Sequence, residues 1–362
     1  MRLAASPQLE FDSRQELARL GLVAGRTLAS SAGTRVLRSF GQRVTRRKVS
    51  TPRIEADLLF EKVAAALGRI QVLKREDSGP LLSRDGRAEA PDFRVMLPQG
   101  EQVLVEVVTG TALARPAKIA PRRIDALTDY ALKSGCALRI AIYWRDAGLW
   151  TLTPASAFTS DGTLDLPTAI MWNDMVRFGD YLLGTVYPLK MNLTSEPAGQ
   201  GKRRITSLEF FAGNAPLRDK EEGDLALFLM LFGDWQATSE PPSEFEDRPV
   251  AVTFEVQPRE LANPGQPFEM VGYASTILSR YFAEVARDDR TARDFVPPDM
   301  AGLVVRRRSE SFPLWRFEVS PKQAESADDV TSRLDAVYSR EGSTIDESFE
   351  RASNESLSSE DW

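Results

Sequence analysis

The sequence predicts an α/β protein with a helix-and-sheet core, a second α+β region and a disordered acidic tail. Apolar residues recur at helical spacing over 53–67 and 121–134, which predicts two amphipathic helices. Short apolar runs bounded by turn residues predict five strands, at Ile70–Lys74, Asp92–Leu97, Gln102–Val108, Leu138–Trp144 and Leu149–Thr153. The predicted core therefore follows the order α-β-β-β-α-β, and one further strand pairs back.

Composition divides the 362 residues into five segments. They are a basic arm, the core, a connecting region, an α+β region and the tail, at 1–52, 53–155, 156–204, 205–321 and 322–362. The connecting region ends in the polar stretch Asn192–Arg204, which we expect to be a linker. In the α+β region we expect a helix near 268–287 and strands at Val250–Val256, Gly302–Arg307 and Leu314–Val319. The tail is rich in Ser, Glu and Asp, a composition typical of disorder.

The two ends of the chain carry opposite charge. Residues 1–53 hold eleven Arg and Lys against three acids, and residues 323–362 hold eleven acids against three Arg. A basic arm can bind nucleic acid, and an acidic tail can repel nucleic acid or mask the arm. The opposite charges could also drive a homo-oligomer or the docking of a protein partner. The simpler interpretation is that both ends are solvated.

The chain contains no histidine, and this excludes several kinds of catalytic site. Ser-His-Asp triads, Cys-His pairs and zinc sites with histidine ligands each need an imidazole. The sequence also lacks a GxxxxGK[ST] phosphate loop, which argues against an ATPase. Any chemistry must therefore use carboxylates, hydroxyls, lysine, arginine or a metal ion held by oxygen ligands.

Cysteine usage and hydropathy indicate the compartment. The one cysteine, Cys136, cannot form a disulfide within the chain, which favours a reducing environment. The longest apolar run, Leu225–Phe232, is far shorter than the roughly 20 residues that a membrane helix needs. We therefore expect a cytoplasmic protein with no membrane partner.

Two acidic residues mark a candidate site. Asp92 opens one predicted strand, and Glu106 lies within the apolar run Val-Leu-Val-Glu-Val-Val of the next strand. A carboxylate is costly to bury there unless it is paired, and a divalent cation is one suitable partner. Asp92 and Glu106 could share one Mg²⁺ or Mn²⁺, which would polarise a phosphodiester and activate water. The alternative is that Asp92 caps a turn and Glu106 pairs with an arginine.

At these residues the chain resembles the PD-(D/E)xK nuclease superfamily, the restriction-endonuclease-like proteins. Pro91-Asp92 matches the first motif of the family, Glu106 matches its second acid, and the order of elements over 53–154 matches its core. The resemblance implies a metal-dependent DNA endonuclease of a restriction or anti-phage defence type, with Asp92 and Glu106 as Mg²⁺ ligands. It also implies an acid on the first helix, for which Glu55 is the first choice and Glu61 the fallback.

Val108 departs from the motif of the family. It stands two residues after Glu106, where the family has the lysine that activates the attacking water. The resemblance then implies that another cation takes this role. Lys118, before the helix at 121–134, is the best candidate, and Lys74 and Arg94 are weaker ones. If none of them reaches the site, the protein is a catalytically silent relative that binds nucleic acid.

Basic residues near the start of the second helix offer contacts for DNA. Arg115, Arg122 and Arg123 could hold phosphates, since backbone contacts supply much of the affinity for nucleic acids. A solvated helix face is the alternative. The leading hypothesis is thus a DNA endonuclease. The others are a silent nucleic-acid-binding protein, and a structural or adaptor protein that assembles through its charged ends.

Overall fold

The computed structural model describes residues 27–29, 56–76, 88–110, 115–199, 202–237, 249–258, 268–288 and 314–319. Glu55, the strand expected at 302–307, the acidic tail and most of the basic arm lie outside the described residues. In the described ranges, no helix is long and apolar enough to cross a membrane.

The first half of the described chain builds a mixed sheet. The elements of this half of the chain are β1 (Thr27–Ala29), α1 (Ala56–Ala66), β2 (Val72–Arg75), β3 (Phe93–Met96), β4 (Gln102–Gly110), β5 (Ala117–Lys118), α2 (Pro121–Ser134), β6 (Ala137–Trp144), β7 (Leu149–Pro154), β8 (Thr163–Leu164) and α3 (Leu166–Met171). The sheet has the order β2-β3-β4-β6-β7. Strands β2, β3 and β4 are antiparallel, β4 and β6 are parallel across α2, and β7 is antiparallel to β6. The mixed α/β class is as predicted.

Most element positions in this half agree with the sequence prediction. Helix α2 begins and ends where expected, because Pro121 suits a first turn and Gly135 follows the last turn with a left-handed φ of 62°. The sequence did not predict β5, β8 or α3, which are too short to give a periodic pattern. Strands β5 and β8 pair with each other, and β5 also contacts β4.

Helices cover both faces of the mixed sheet. On one face, Phe60 and Val63 of α1 share a core with Phe93 and Val105. On the other face, α2 and the sheet share the cluster Leu104, Leu127, Ala131 and Leu138. Since successive side chains of a strand point to opposite faces, Leu104, Glu106 and Val108 all face α2. The candidate carboxylate at Glu106 is therefore directed towards the second helix.

The second half departs from the sequence prediction at two places. Its elements are β9 (Leu182–Val186), β10 (Leu189–Pro197), β11 (Lys202–Ala212), β12 (Ala215–Leu217), α4 (Lys220–Phe232), β13 (Trp235–Ala237), β14 (Val250–Pro258), β15 (Phe268–Tyr273), α5 (Ala274–Asp288) and β16 (Leu314–Phe317). In the stretch expected to be a linker, residues 192–197 lie instead in β10 and residues 202–204 lie in β11, which pairs with β10. The helix expected from 268 begins only at Ala274, because Phe268–Tyr273 pairs with β9.

The two halves share one hydrophobic core. Trp150 of β7 is fully buried, and its ring lies 5.6 Å from that of Phe60. The Trp150 indole Nε1 donates a hydrogen bond of 2.9 Å to Oγ of Ser279, on α5. Helix α1 packs directly against α5. The mixed sheet is therefore held by apolar contacts from both halves of the chain.

A buried carboxylate fixes the start of α5. Asp180 is 3% exposed and accepts hydrogen bonds from the Ser275 backbone N–H at 2.9 Å and from Ser275 Oγ at 2.6 Å. It thus caps this helix from a distant part of the chain, where the helix dipole favours negative charge. Burial nevertheless raises the pKa of Asp180 to about 6. Burial, and after it the Asp180 charge, also raises the pKa of Tyr273.

We expect Asp180 to make stability depend on pH. The folded pKa of about 6 exceeds the ordinary 3.8, so the folded state takes up the proton first as the pH falls. The stabilising contribution of Asp180 is then complete below pH 3.8 and is lost as the pH rises through 6. Relative to Asp180→Asn, wild type should lose up to about 3 kcal/mol of unfolding free energy over this window. Urea unfolding of both proteins measures the difference, and parallel pH curves would contradict the assignment.

Candidate active site

Asp92, one residue before β3, lies opposite Glu106 of β4. Phe93 of β3 pairs with Val105 of β4 in an antiparallel register, which places Asp92 across from Glu106 one step further on. Asp92 Oδ2 accepts a hydrogen bond of 2.7 Å from the backbone N–H of Val107. This bond anchors the Asp92 carboxylate to β4 just beyond Glu106.

Glu106 is a buried carboxylate of which only one oxygen is hydrogen bonded by the described residues. The residue is 3% exposed, and Oε1 accepts hydrogen bonds from Arg123 Nε at 2.9 Å and Arg123 Nη2 at 2.6 Å. Its other oxygen, Oε2, is buried and has no hydrogen-bond partner among the described residues. Buried polar atoms without partners are rare and costly, so this oxygen marks a place where a ligand would be stabilised.

Both carboxylates have raised pKa values. Burial raises the pKa of Glu106 to about 7, the Asp92 charge adds to this effect, and Arg123 opposes it. Burial also raises the pKa of Asp92, while the Val107 N–H and the Arg123 charge oppose that shift. Two acids with raised pKa values at one place are typical of functional sites, and a bound cation would relieve both effects.

Asp57 of the first helix acts on Asp92 through its charge, while its own side chain is paired with Arg75. The Asp57 charge helps to raise the pKa of Asp92. Asp57 Oδ2 pairs with Arg75 at 2.7 Å, and the fallback residue Glu61 pairs with the same guanidinium at 2.8 Å. The available signal was the spacing of four residues between Asp57 and Glu61, which places both on one face of the helix.

Neither Lys118 nor Lys74 forms a hydrogen bond or ion pair with Asp92 or Glu106 among the described residues. Lys118 is exposed on β5. Lys74 is exposed on β2, and Arg94 is tied to Glu76 at 2.6 Å. The cation that does reach Glu106 is Arg123, which the sequence analysis assigned to phosphate binding.

The predicted nucleic-acid-binding residues fall into two groups. Arg115 and Arg122 are exposed, and among the described residues neither forms a hydrogen bond or an ion pair. Arg123 faces Glu106, and its Nη1 also lies 3.6 Å from Glu89 Oε2. Only the first group is therefore fully available to an incoming phosphate.

The residues at this site fit a divalent cation held partly by other ligands. No group of three or more Asp, Glu, Cys or His side chains is arranged for a metal among the described residues. Mg²⁺, however, is usually held by one or two carboxylates together with water and substrate phosphates. Asp92 and the unpaired Oε2 of Glu106 match that pattern.

Comparisons with known proteins add little to this site. No protein-family model and no curated protein matches the chain. Among solved structures, the chain is similar to Hjc, a Holliday junction resolvase from Archaeoglobus fulgidus, with 20% sequence identity and a TM-score of 0.25. The match covers 32% of this chain and 89% of the resolvase.

Proposed function

We propose that this protein is a metal-dependent DNA endonuclease. The observation that carries the proposal is the buried Oε2 of Glu106, which has no hydrogen-bond partner among the described residues, on a residue that lies across the sheet from Asp92. Two facing carboxylates with one free buried oxygen are suited to a hard cation such as Mg²⁺ or Mn²⁺. A bound ion would polarise a phosphodiester and lower the pKa of an attacking water.

The chain itself would position the ion and the substrate. The Val107 N–H holds Asp92, and Arg123 holds Glu106. Arg115 and Arg122 would hold DNA phosphates near the start of α2, because both are exposed cations. In this proposal Lys118, on the strand that contacts β4, would assist the attacking water.

Incubation with DNA tests this function. We expect supercoiled plasmid or a branched duplex to be cleaved in Mg²⁺ or Mn²⁺ and to stay intact in EDTA. A Lys118→Gln variant separates the roles: cleavage should fall, while DNA binding without metal stays close to wild type. Intact DNA under all metal conditions, with DNA binding retained, would reject the endonuclease.

A silent nucleic-acid-binding protein is the second candidate. It is favoured by Val108 at the position of the lysine, and by the guanidinium of Arg123 that already neutralises Glu106. This candidate expects DNA binding that weakens steeply as salt rises, without cleavage in any metal. The two candidates thus differ in a single observable, the appearance of cut DNA.

We expect the exposed arginines to set the salt dependence of DNA binding. Each phosphate contact contributes about 0.9 to the slope of log affinity against log salt, so Arg115→Gln with Arg122→Gln should reduce the slope by about 2. Fluorescence anisotropy of labelled duplex over a salt series measures it. Lys133→Gln, at the far end of α2 and paired with Asp129, is the control and should leave the slope unchanged. An unchanged slope in the double variant would place DNA elsewhere.

A further inference from the structure

We infer that Arg123 is a positioning residue for Glu106 and not a phosphate contact, an inference that rests on the proposed metal site. From the sequence, Arg123 is equivalent to Arg115 and Arg122, because all three are basic residues near the start of α2. The structure separates them, since Arg123 is the residue that hydrogen bonds to Glu106. Arg123, on helix α2, thereby provides a positive charge next to Glu106. Val108, on strand β4, is apolar and cannot provide one.

The way in which Arg123 binds Glu106 is unusual for an arginine and a carboxylate. The common arrangement is bidentate, with two nitrogens on two oxygens. Here Nε and Nη2 both donate to Oε1, at 2.9 and 2.6 Å, and Oε2 receives no hydrogen bond from the described residues. The guanidinium therefore orients the carboxylate and leaves one oxygen free to bind a cation.

Arg123 is itself held at both ends. Its helix is fixed on the sheet by Leu127 and Ala131, which pack against Leu104. On the other side of the guanidinium, Nη1 lies 3.6 Å from Glu89 Oε2. The Arg123 side chain is 46% exposed, and its guanidinium lies between two acids, Glu106 and Glu89, an arrangement that suits a positioning role.

Strand β4 carries no positively charged residue beside Glu106. Val108 points to the same face as Glu106 and packs against the cluster that contains Ile140, Ile142 and Trp144. An apolar residue there leaves the buried carboxylate without charge compensation from its own strand. Arg123 compensates that charge, and partners of metal ligands typically affect metal affinity by about 10–100-fold.

Binding of Mn²⁺ alone, without DNA, tests this inference. Electron paramagnetic resonance of the full chain gives the affinity directly. We expect Arg123→Gln to bind Mn²⁺ about 10–100-fold more weakly than wild type, and Arg123→Lys to fall between them, since one ammonium cannot reproduce the two-nitrogen contact. Arg122→Gln, the adjacent exposed arginine, should leave Mn²⁺ affinity unchanged and weaken DNA binding.

A second variant identifies a merely structural effect. In a Glu106→Gln background, Arg123→Gln should cause no further loss of Mn²⁺ affinity, because the two residues act as one unit. Wild-type affinity in either Arg123 variant with an intact circular dichroism spectrum overturns the inference, and so does tighter binding. Absence of Mn²⁺ binding by wild type would instead reject the proposed metal site, so the two failures are distinguishable.

Discussion

Glu106→Gln and Asp92→Asn should each lower the rate of metal-dependent DNA cleavage roughly a thousandfold, or about 4 kcal/mol of transition-state stabilisation. Each change keeps the shape of the side chain and removes its charge. Glu106→Gln replaces the buried carboxylate that Arg123 orients by a neutral amide. Asp92→Asn does the same to the carboxylate across from it, just before β3. Initial rates of plasmid cleavage in Mn²⁺ measure both effects.

The matched control is Asp129→Asn. Asp129 lies on α2 and pairs with Lys133, so the change removes one carboxylate from the same helix-covered side of the sheet without touching the site. Its cleavage rate should stay within about twofold of wild type. Wild-type rates in Asp92→Asn or Glu106→Gln would contradict the assignment of these carboxylates.

Trp150→Ala should lower the free energy of unfolding by about 3–5 kcal/mol. Trp150 is fully buried, and its ring lies within 6 Å of Phe60 and of Tyr143. Its indole also bonds to Ser279 on α5, so the change removes contacts from both halves of the chain. We expect one cooperative transition, shifted as a whole, in urea unfolding followed by circular dichroism.

Leu132→Ala provides the control for this loss of apolar volume. Leu132 is 75% exposed on α2, so its truncation should change the unfolding free energy by less than about 0.5 kcal/mol. A Trp150→Ala protein that unfolds in two separate transitions would show that the halves fold independently, contrary to a shared core.

The sheet that carries the site was largely predictable from local pattern. Proline and glycine mark the ends of α2, and alternating apolar runs mark β3 and β4. The connection between β3 and β4 is short, so the register that sets Asp92 across from Glu106 follows from nearby residues. Local signals were sufficient here because the partners are close in sequence.

The second half was harder to predict because its signals depend on partners far away. Asn192 and Thr194 are polar and suggest a linker, yet Leu189, Met191 and Leu193 alternate with polar residues and are buried in a strand. Phe268–Tyr273 continues the helical spacing of α5, but it forms a strand that pairs with β9. Strand β9 lies more than eighty residues earlier in the sequence. Tertiary pairing overrides the local periodicity at both places.

The candidate site was predictable in its acids and not in its cation. The apolar context of Glu106 identified a carboxylate that needs compensation, and the alternative of an arginine partner was already open. Arg123 is the partner because of the way α2 crosses the sheet between β4 and β6. The spacing of residues in the sequence does not determine this crossing. The effect of the Asp57 charge on the pKa of Asp92 likewise depends on the packing of α1.

Crystals soaked in Mn²⁺ test the central claim most directly. Anomalous diffraction should show one manganese peak in contact with both the Asp92 carboxylate and Oε2 of Glu106, and Glu106→Gln crystals soaked in the same way should lose it. A wild-type crystal with no peak at this pair, or with its peak at other residues, would contradict the metal site and the endonuclease built on it.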